Sequence, residues 1–373
     1  MKALAEAMRD PATTAALDAA GWTGLIAAAR AEQMIGSLAF RLEGQAMPAG
    51  AARILEEARE SAAQWRRSAL WEAEMARRAL APLGIPMVLM KGTAYVAADL
   101  DAGIGRSIGD LDIMVPRAAL DDAEQALLAA GWEWVKPDPY DDAYYREHMH
   151  ELPPLIHRER DRMIDVHHTI LPLTARQTPD AAGMLAEAVL IATSNSVCVE
   201  RSRDTVPRLE RPSTSLGTNG IGECGSAEDV PGPGLLIFFP EDMVLHGVAH
   251  LIADGDLAGG LRNLWDQDRL LRQFSSVEGF WERLQARAVH HDLVAPLQRA
   301  ARLAHRLYDT PIPQDWRVRD SFDPLFERRL LARDGWGRET RKLTRLAFYI
   351  RSHWLRMPPL MLARHLWTKW RKG

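Results

Sequence analysis

Between Met87 and Val115 the pattern of apolar and polar residues changes three times, and each change predicts an element. The apolar run Met87-Val88-Leu89-Met90 reads as a buried strand that stops at Lys91-Gly92, and Thr93 to Ala98 as a short helix. A glycine-punctuated loop, Gly103 to Gly109, carries Arg106 and leads into Asp110-Leu111-Asp112-Ile113-Met114-Val115. Acidic and apolar residues alternate in that segment, which is the period of a strand. Asp110 and Asp112 are therefore expected on one face, with Leu111 and Ile113 in the core.

Upstream, Leu25, Ile35, Leu38 and Leu42 suggest amphipathic helices. Ala51 to Leu83 predicts one long helix or two, with Trp65, Leu70, Trp71 and Leu80 turned to the core. Downstream, Pro116 starts a helix that Gly131 ends, and Trp132 to Val135 follows as a strand. Pro137 to Tyr145 reads as an acidic, aromatic loop. His150 to Arg158 and Met163 to Ile170 form a hairpin about the charged turn Glu159 to Arg162. On its second strand, Asp165 and His167 share a face opposite Ile164 and Val166. Aspartate is depleted from strands, so Asp165 requires an explanation. From Ser194 to Gly234 neither helical nor strand period can be read, and a linker or insertion without fixed structure is expected. From Pro240 helices resume. Glu241 to Ile252 carries His246 and His250 at helical spacing, where a packed pair is expected, and Leu257 to Gln273 carries Arg262 and Asp266.

The pattern predicts an α+β protein: helices over residues 1–84, a sheet-containing core over 85–193, a linker over 194–234, and helices with a basic tail over 235–373. Composition changes this little. In 373 residues, 47% hydrophobic and 26% charged, a net charge of −4 neither requires nor excludes a polyanionic partner. Cys198 and Cys224 make no disulfide framework or zinc spacing, and no run approaches the ~18 apolar residues of a transmembrane segment. With no signal-peptide pattern at the N-terminus, a cytoplasmic protein is expected. Charge matters locally, because Arg341 to Gly373 holds nine Lys or Arg and no Asp or Glu, interleaved with Trp354, Trp367 and Trp370. Three readings are open for this tail: a solvated face, weak contact with an anionic membrane, or nucleic acid.

The candidate chemistry gathers around Asp110 and Asp112. Two enclosed carboxylates repel, and a divalent cation between them reverses that. Asp165, on a downstream strand, would be the third ligand for Mg²⁺ or Mn²⁺. Lys91-Gly92, between a strand and a helix, would meet a phosphate with a point charge and backbone N–H groups. Arg106 would clamp the leaving pyrophosphate of a nucleoside triphosphate (NTP). His148, His150 and Glu151 are candidates for acceptor binding or base catalysis, against simple strand-edge hydrogen bonding.

The run LMKG-x-A, then G-x-G-R-x-x-G-D-L-D-I-M-V, followed by G-W, H-x-H-E-L and I-D-V-H-H, resembles a bacterial family of uncharacterised nucleotidyltransferases in the DNA polymerase β-like superfamily. The similarity resumes at Pro240 to His250 and Leu261 to Asp266. The resemblance implies a small mixed sheet with Asp110, Asp112 and Asp165 as its metal-binding and catalytic triad. It also implies transfer of a nucleoside monophosphate (NMP) from an NTP to an acceptor hydroxyl on a protein, small molecule or RNA end. Lys91-Gly92 takes the place of the superfamily's usual Gly-Ser. The missing serine motivates a second reading, a catalytically impaired nucleotide-binding adaptor, and the tail a third, a membrane-surface-associated assembly protein.

Overall fold

The computed structural model describes residues 1–191, 234–356 and 367. The expected linker, both cysteines and most of the tail beyond Arg356 lie outside the described residues.

Four helices come first: α1 (Lys2–Arg9), α2 (Ala19–Ala31), α3 (Ile35–Arg41) and α4 (Ala49–Leu80). Asp18 caps α2 by accepting from Gly21 N at 2.7 Å, satisfying a donor that the first turn cannot. The stretch expected as one helix or two is a single 32-residue helix, with Leu55, Ala62, Ala69, Ala73, Ala76 and Leu80 along its buried stripe. Trp71 lies off that stripe and is exposed, contrary to expectation. Trp65 instead lies under the Arg162 guanidinium, 4.8 Å from its ring centre. Buried Glu72 accepts from Arg160 Nε at 2.8 Å, so α4 grips the turn of the downstream hairpin.

The sheet begins with β1 (Val88–Leu89), continues after α5 (Lys91–Ala97) with β2 (Asp110–Met114), and after α6 (Leu120–Ala129) with β3 (Trp132–Trp134). The predicted acidic loop is instead a helix, α7 (Pro139–His148). Asp138 caps it, accepting from Tyr140 N at 2.8 Å, and Pro139 sits in its first turn, so residues that favour loops here begin a helix. The hairpin β4 (Leu155–His157) and β5 (Met163–His167) follows, then α8 (Ala181–Ala186), β6 (Val189–Leu190) and β7 (Leu236–Ile237).

Strand order is β3-β4-β5-β2-β1-β7-β6. The β2–β5 and β1–β7 pairs are parallel and the rest antiparallel, so the sheet is mixed and the fold combines helices with strands as expected. Leu236–Ile237 completes a sheet begun 148 residues earlier, since Val88 pairs with Leu236.

The remaining helices are α9 (Pro240–Val248), α10 (Gly260–Phe274), α11 (Phe280–His290), α12 (Val294–Tyr308), α13 (Asp323–Leu330) and α14 (Lys342–Arg356). The α9 helix runs into a π-helical turn, Ala249–Asp254. Asp242 at the start of α9 is fully buried and accepts from Arg287 Nε at 2.9 Å, with His291 Nε2 3.4 Å away. Burial opposes its ionisation, but His291 and Arg287 more than reverse this and its pKa falls below the ordinary 3.8. A depressed folded pKa gives stability that is complete above the unfolded value and disappears as pH falls through the folded one. Asp242→Asn is therefore expected to lower unfolding free energy at neutral pH. The gap to wild type should narrow in acid, as read by urea titrations at about pH 7 and about pH 3.5.

Candidate active site

The parallel pairing of β2 with β5 sets Asp112 directly beside Asp165, while Asp110 is two residues away on the same face. One ligand atom from each of Asp110, Asp112 and Asp165 lies within 4.8 Å of the others. The carboxylates inferred from sequence thus converge, from two adjacent strands. Asp110 is exposed, Asp112 buried and Asp165 half-buried.

Two partners hold Asp112, both through one oxygen. Lys91 Nζ donates to Oδ1 at 2.5 Å and His167 Nε2 lies 3.0 Å from the same atom. Among the described residues, Oδ2 accepts no hydrogen bond, nor do the carboxylates of Asp110 and Asp165. Burial raises the cost of charge on Asp112, but Lys91 and His167 outweigh it, and its pKa falls well below the carboxylate range. Asp165 goes the other way, pushed up to about 7 by burial first and then by Asp112 and Glu151. Three converging carboxylates, two without a donor among the described residues, fit a divalent cation in both charge and donor chemistry.

Lys91 is held with φ +47, a left-handed conformation that costs a residue with a Cβ about 1–2 kcal/mol. The strain sits where its ammonium reaches Asp112 and Met90 N donates to Asp112 O at 3.0 Å. Lys91 therefore answers a carboxylate rather than standing free at a helix terminus.

The Gly92 position is explained by Arg106. A Cβ on Gly92 would lie 2.4 Å from Arg106 Nε, so the guanidinium group crosses the place where any other side chain would be. Arg106 is buried and ion-paired through Nη1 with Asp266 of α10, and its Nε has no hydrogen-bond partner among the described residues. Its nearest carboxylate is thus on the helical side of the cleft. Thr93, the hydroxyl that follows Gly92, is buried, and among the described residues its Oγ1 has no partner and it is not part of the cleft lining.

The Arg106 loop rests on a backbone contact. Gly105 has φ +67, and a Cβ there would lie 2.4 Å from the Gly36 carbonyl carbon of α3. Gly105→Ala is expected to destabilise by about 2–4 kcal/mol, combining left-handed strain with the clash. Gly44→Ala, at φ +80 with nothing within 4 Å, isolates the strain alone and should cost less. Paired thermal unfolding curves check this.

A cleft of about 180 Å³ opens beside the carboxylates, bounded by Asp110, Asp112 and Arg106 on one side and by Arg262, Asn263 and His250 on the other. Arg262 donates to Ser107 O at 3.1 Å, and burial followed by Arg106 lowers its pKa to about 10. The side chains of Arg262, Asn263 and Gln267 were not assigned to the site from sequence. Their signal was polar residues at helical spacing on an otherwise buried helix. His246 and His250 separate: His246 packs on Phe238, ring centres 5.7 Å apart, while His250, in the π-helical turn, lines the cleft. Burial first and Lys91 second lower the His250 pKa to about 3. His150 and Glu151 lie beside the triad through His167, whereas His148 is at the end of α7.

Over residues 18–309 the chain matches the family described as uncharacterised nucleotidyltransferase. No curated protein and no solved structure matches it.

Proposed function

The chain belongs to the uncharacterised nucleotidyltransferase family, and from that premise we propose a metal-dependent enzyme that moves an NMP from an NTP to an acceptor hydroxyl. The core would be polymerase β-like, centred on residues 85–193, with helices on either side. The observation that carries the reading is the convergence of Asp110, Asp112 and Asp165 within 4.8 Å.

Asp110, Asp112 and Asp165 would hold Mg²⁺ or Mn²⁺. When bound, the cation would supply charge for the triphosphate and a lowered pKa for the attacking hydroxyl. Asp112 would contribute Oδ2, because Lys91 and His167 engage Oδ1. Lys91 and Arg262 bring positive charge to the cleft wall, where the triphosphate would lie. Arg106, paired with Asp266 and lying against Gly92, would shape the cleft wall rather than act as a free clamp.

The test is label transfer from each of four NTPs, labelled at the α-phosphate, to a cell extract with Mg²⁺ or Mn²⁺. Product with at least one nucleotide is expected. Absence of product with all four, in the presence of an NTP-dependent rise in melting temperature, would favour the adaptor reading instead.

One observation favours an additional surface role. On α14, Leu343, Leu346, Ile350 and Trp354 are exposed at helical spacing, opposite buried Phe348 and Ser352. With nine basic and no acidic residues from Arg341 onward, the complementary partner is an anionic lipid surface. The full chain should co-sediment with vesicles containing phosphatidylserine and not with neutral ones. A Leu343→Glu, Ile350→Glu variant should remain in the supernatant, and equal sedimentation of both proteins would reject the surface.

A further inference from the structure

Beside the carboxylate triad lies a second group of different chemistry. His150, Glu151 and His167 each offer a ligand atom within 4.8 Å of the others. The backbone frames them rigidly: Glu151 forms a bridge with His167, His168 N donates to His150 O at 2.9 Å, and Leu152 N donates to Val166 O at 2.9 Å. Glu151 Oε2 lies 3.4 Å from His167 Nδ1 and 3.6 Å from His150 Nε2. Neither contact is a hydrogen bond. A tetrahedral ion with bonds of about 2.1 Å separates its ligand atoms by about 3.4 Å, so both spacings match edges of such a polyhedron.

The independent sign of a missing ligand is His167. Its side chain is 2% exposed, and Nδ1 is enclosed with no hydrogen-bond partner among the described residues although it faces Glu151. A buried ring nitrogen left unpaired costs about 1–3 kcal/mol. Among the described residues the His150 Nδ1 is likewise enclosed and unpartnered.

We propose that His150, Glu151 and His167 form a site for a borderline transition-metal cation of the Zn²⁺ class, distinct from the triad's. Two imidazoles and one carboxylate select such an ion over Mg²⁺, which prefers oxygen throughout. The ion would take His167 Nδ1 and leave its Nε2–H to donate to Asp112 Oδ1, the usual tie between a metal-bound histidine and an outer carboxylate. His167 thereby becomes a positioning residue for Asp112. The assignment stands whether or not the chain transfers nucleotides, because none of its three ligands belongs to the triad.

The probe is Co²⁺ alone, titrated into metal-stripped full-length protein and followed by visible absorption. One equivalent with tetrahedral-type bands is expected in wild type. The same is expected in an Asp110→Asn, Asp165→Asn variant, which removes the neighbouring carboxylates. His150→Ala should weaken binding by at least about 100-fold and erase the bands. Glu151→Gln, nearly isosteric, provides the same reading should the alanine variant not fold. Excess Mg²⁺ should leave the bands unchanged, and X-ray absorption of Zn²⁺-loaded wild type should report two imidazoles. The proposal is overturned if wild type takes up no Co²⁺. It is equally overturned if uptake is lost with the two aspartates but survives His150→Ala and Glu151→Gln, if Mg²⁺ displaces Co²⁺, or if no imidazole is found.

Discussion

Asp110→Asn should reduce nucleotidyl transfer by about 10³-fold or more while leaving the melting temperature close to wild type. The kinetic part follows from charge. A carboxylate that shares a cation contributes several kcal/mol to the reaction it supports, and about 4 kcal/mol is a thousandfold in rate. The stability part follows from exposure, since Asp110 is solvent-accessible and accepts no hydrogen bond among the described residues. Substitutions at such positions usually change stability by no more than about 0.5 kcal/mol. Asp165→Asn should lose transfer equally, for a different structural reason. Its carboxyl is enclosed beside Asp112 and Glu151, which makes an uncharged amide an easy replacement there. Asp112→Asn is a poorer probe, because it also strands the Lys91 ammonium and His167. Label transfer with circular dichroism melting of the same samples reads both halves. Wild-type rates in both Asp110→Asn and Asp165→Asn would end the catalytic proposal.

The largest stability effect is expected at the Arg106–Asp266 pair. Both side chains are 6% exposed, so removing one leaves the other charged and buried. Losses of about 3–5 kcal/mol accompany such single truncations. Arg106→Met and Asp266→Leu should each lower the melting temperature by several degrees. The double variant should regain much of the loss, since apolar residues of similar volume often replace a buried pair at little cost. A double variant as unstable as the two losses summed would mean that the residues act independently. Because Arg106 also crosses Gly92, the double variant should still show reduced transfer after its fold is recovered.

The carboxylate strand was legible because its signal is local. The alternation in Asp110 to Val115 fixes a face, and a lone aspartate between Ile164 and Val166 marks a second strand with an unusual demand. The hairpin about Glu159 to Arg162 was read from the same short-range grammar. Where local chemistry had two meanings, the reading failed. Asp138-Pro139 can close a loop or cap a helix, and here it caps α7. Trp71 reads as inward from its apolarity, but its angle on α4 turns it to solvent.

The elements around Lys91, the shared face of Asp110 and Asp112, and the candidacy of Asp165 are all local, since each depends on neighbours a few residues away. Which groups answer those charges depends on long-range packing. The partners of Asp112 are Lys91, 21 residues distant, and His167, 55 residues distant, and the partner of Arg106 is Asp266, 160 residues distant. Leu236–Ile237 joins a sheet whose β1 lies far upstream, and Arg262 reaches the cleft from α10. Ion pairing and strand pairing act through space. Periodicity along a chain tells which way a side chain faces, whereas what it meets there depends on how the distant segments pack.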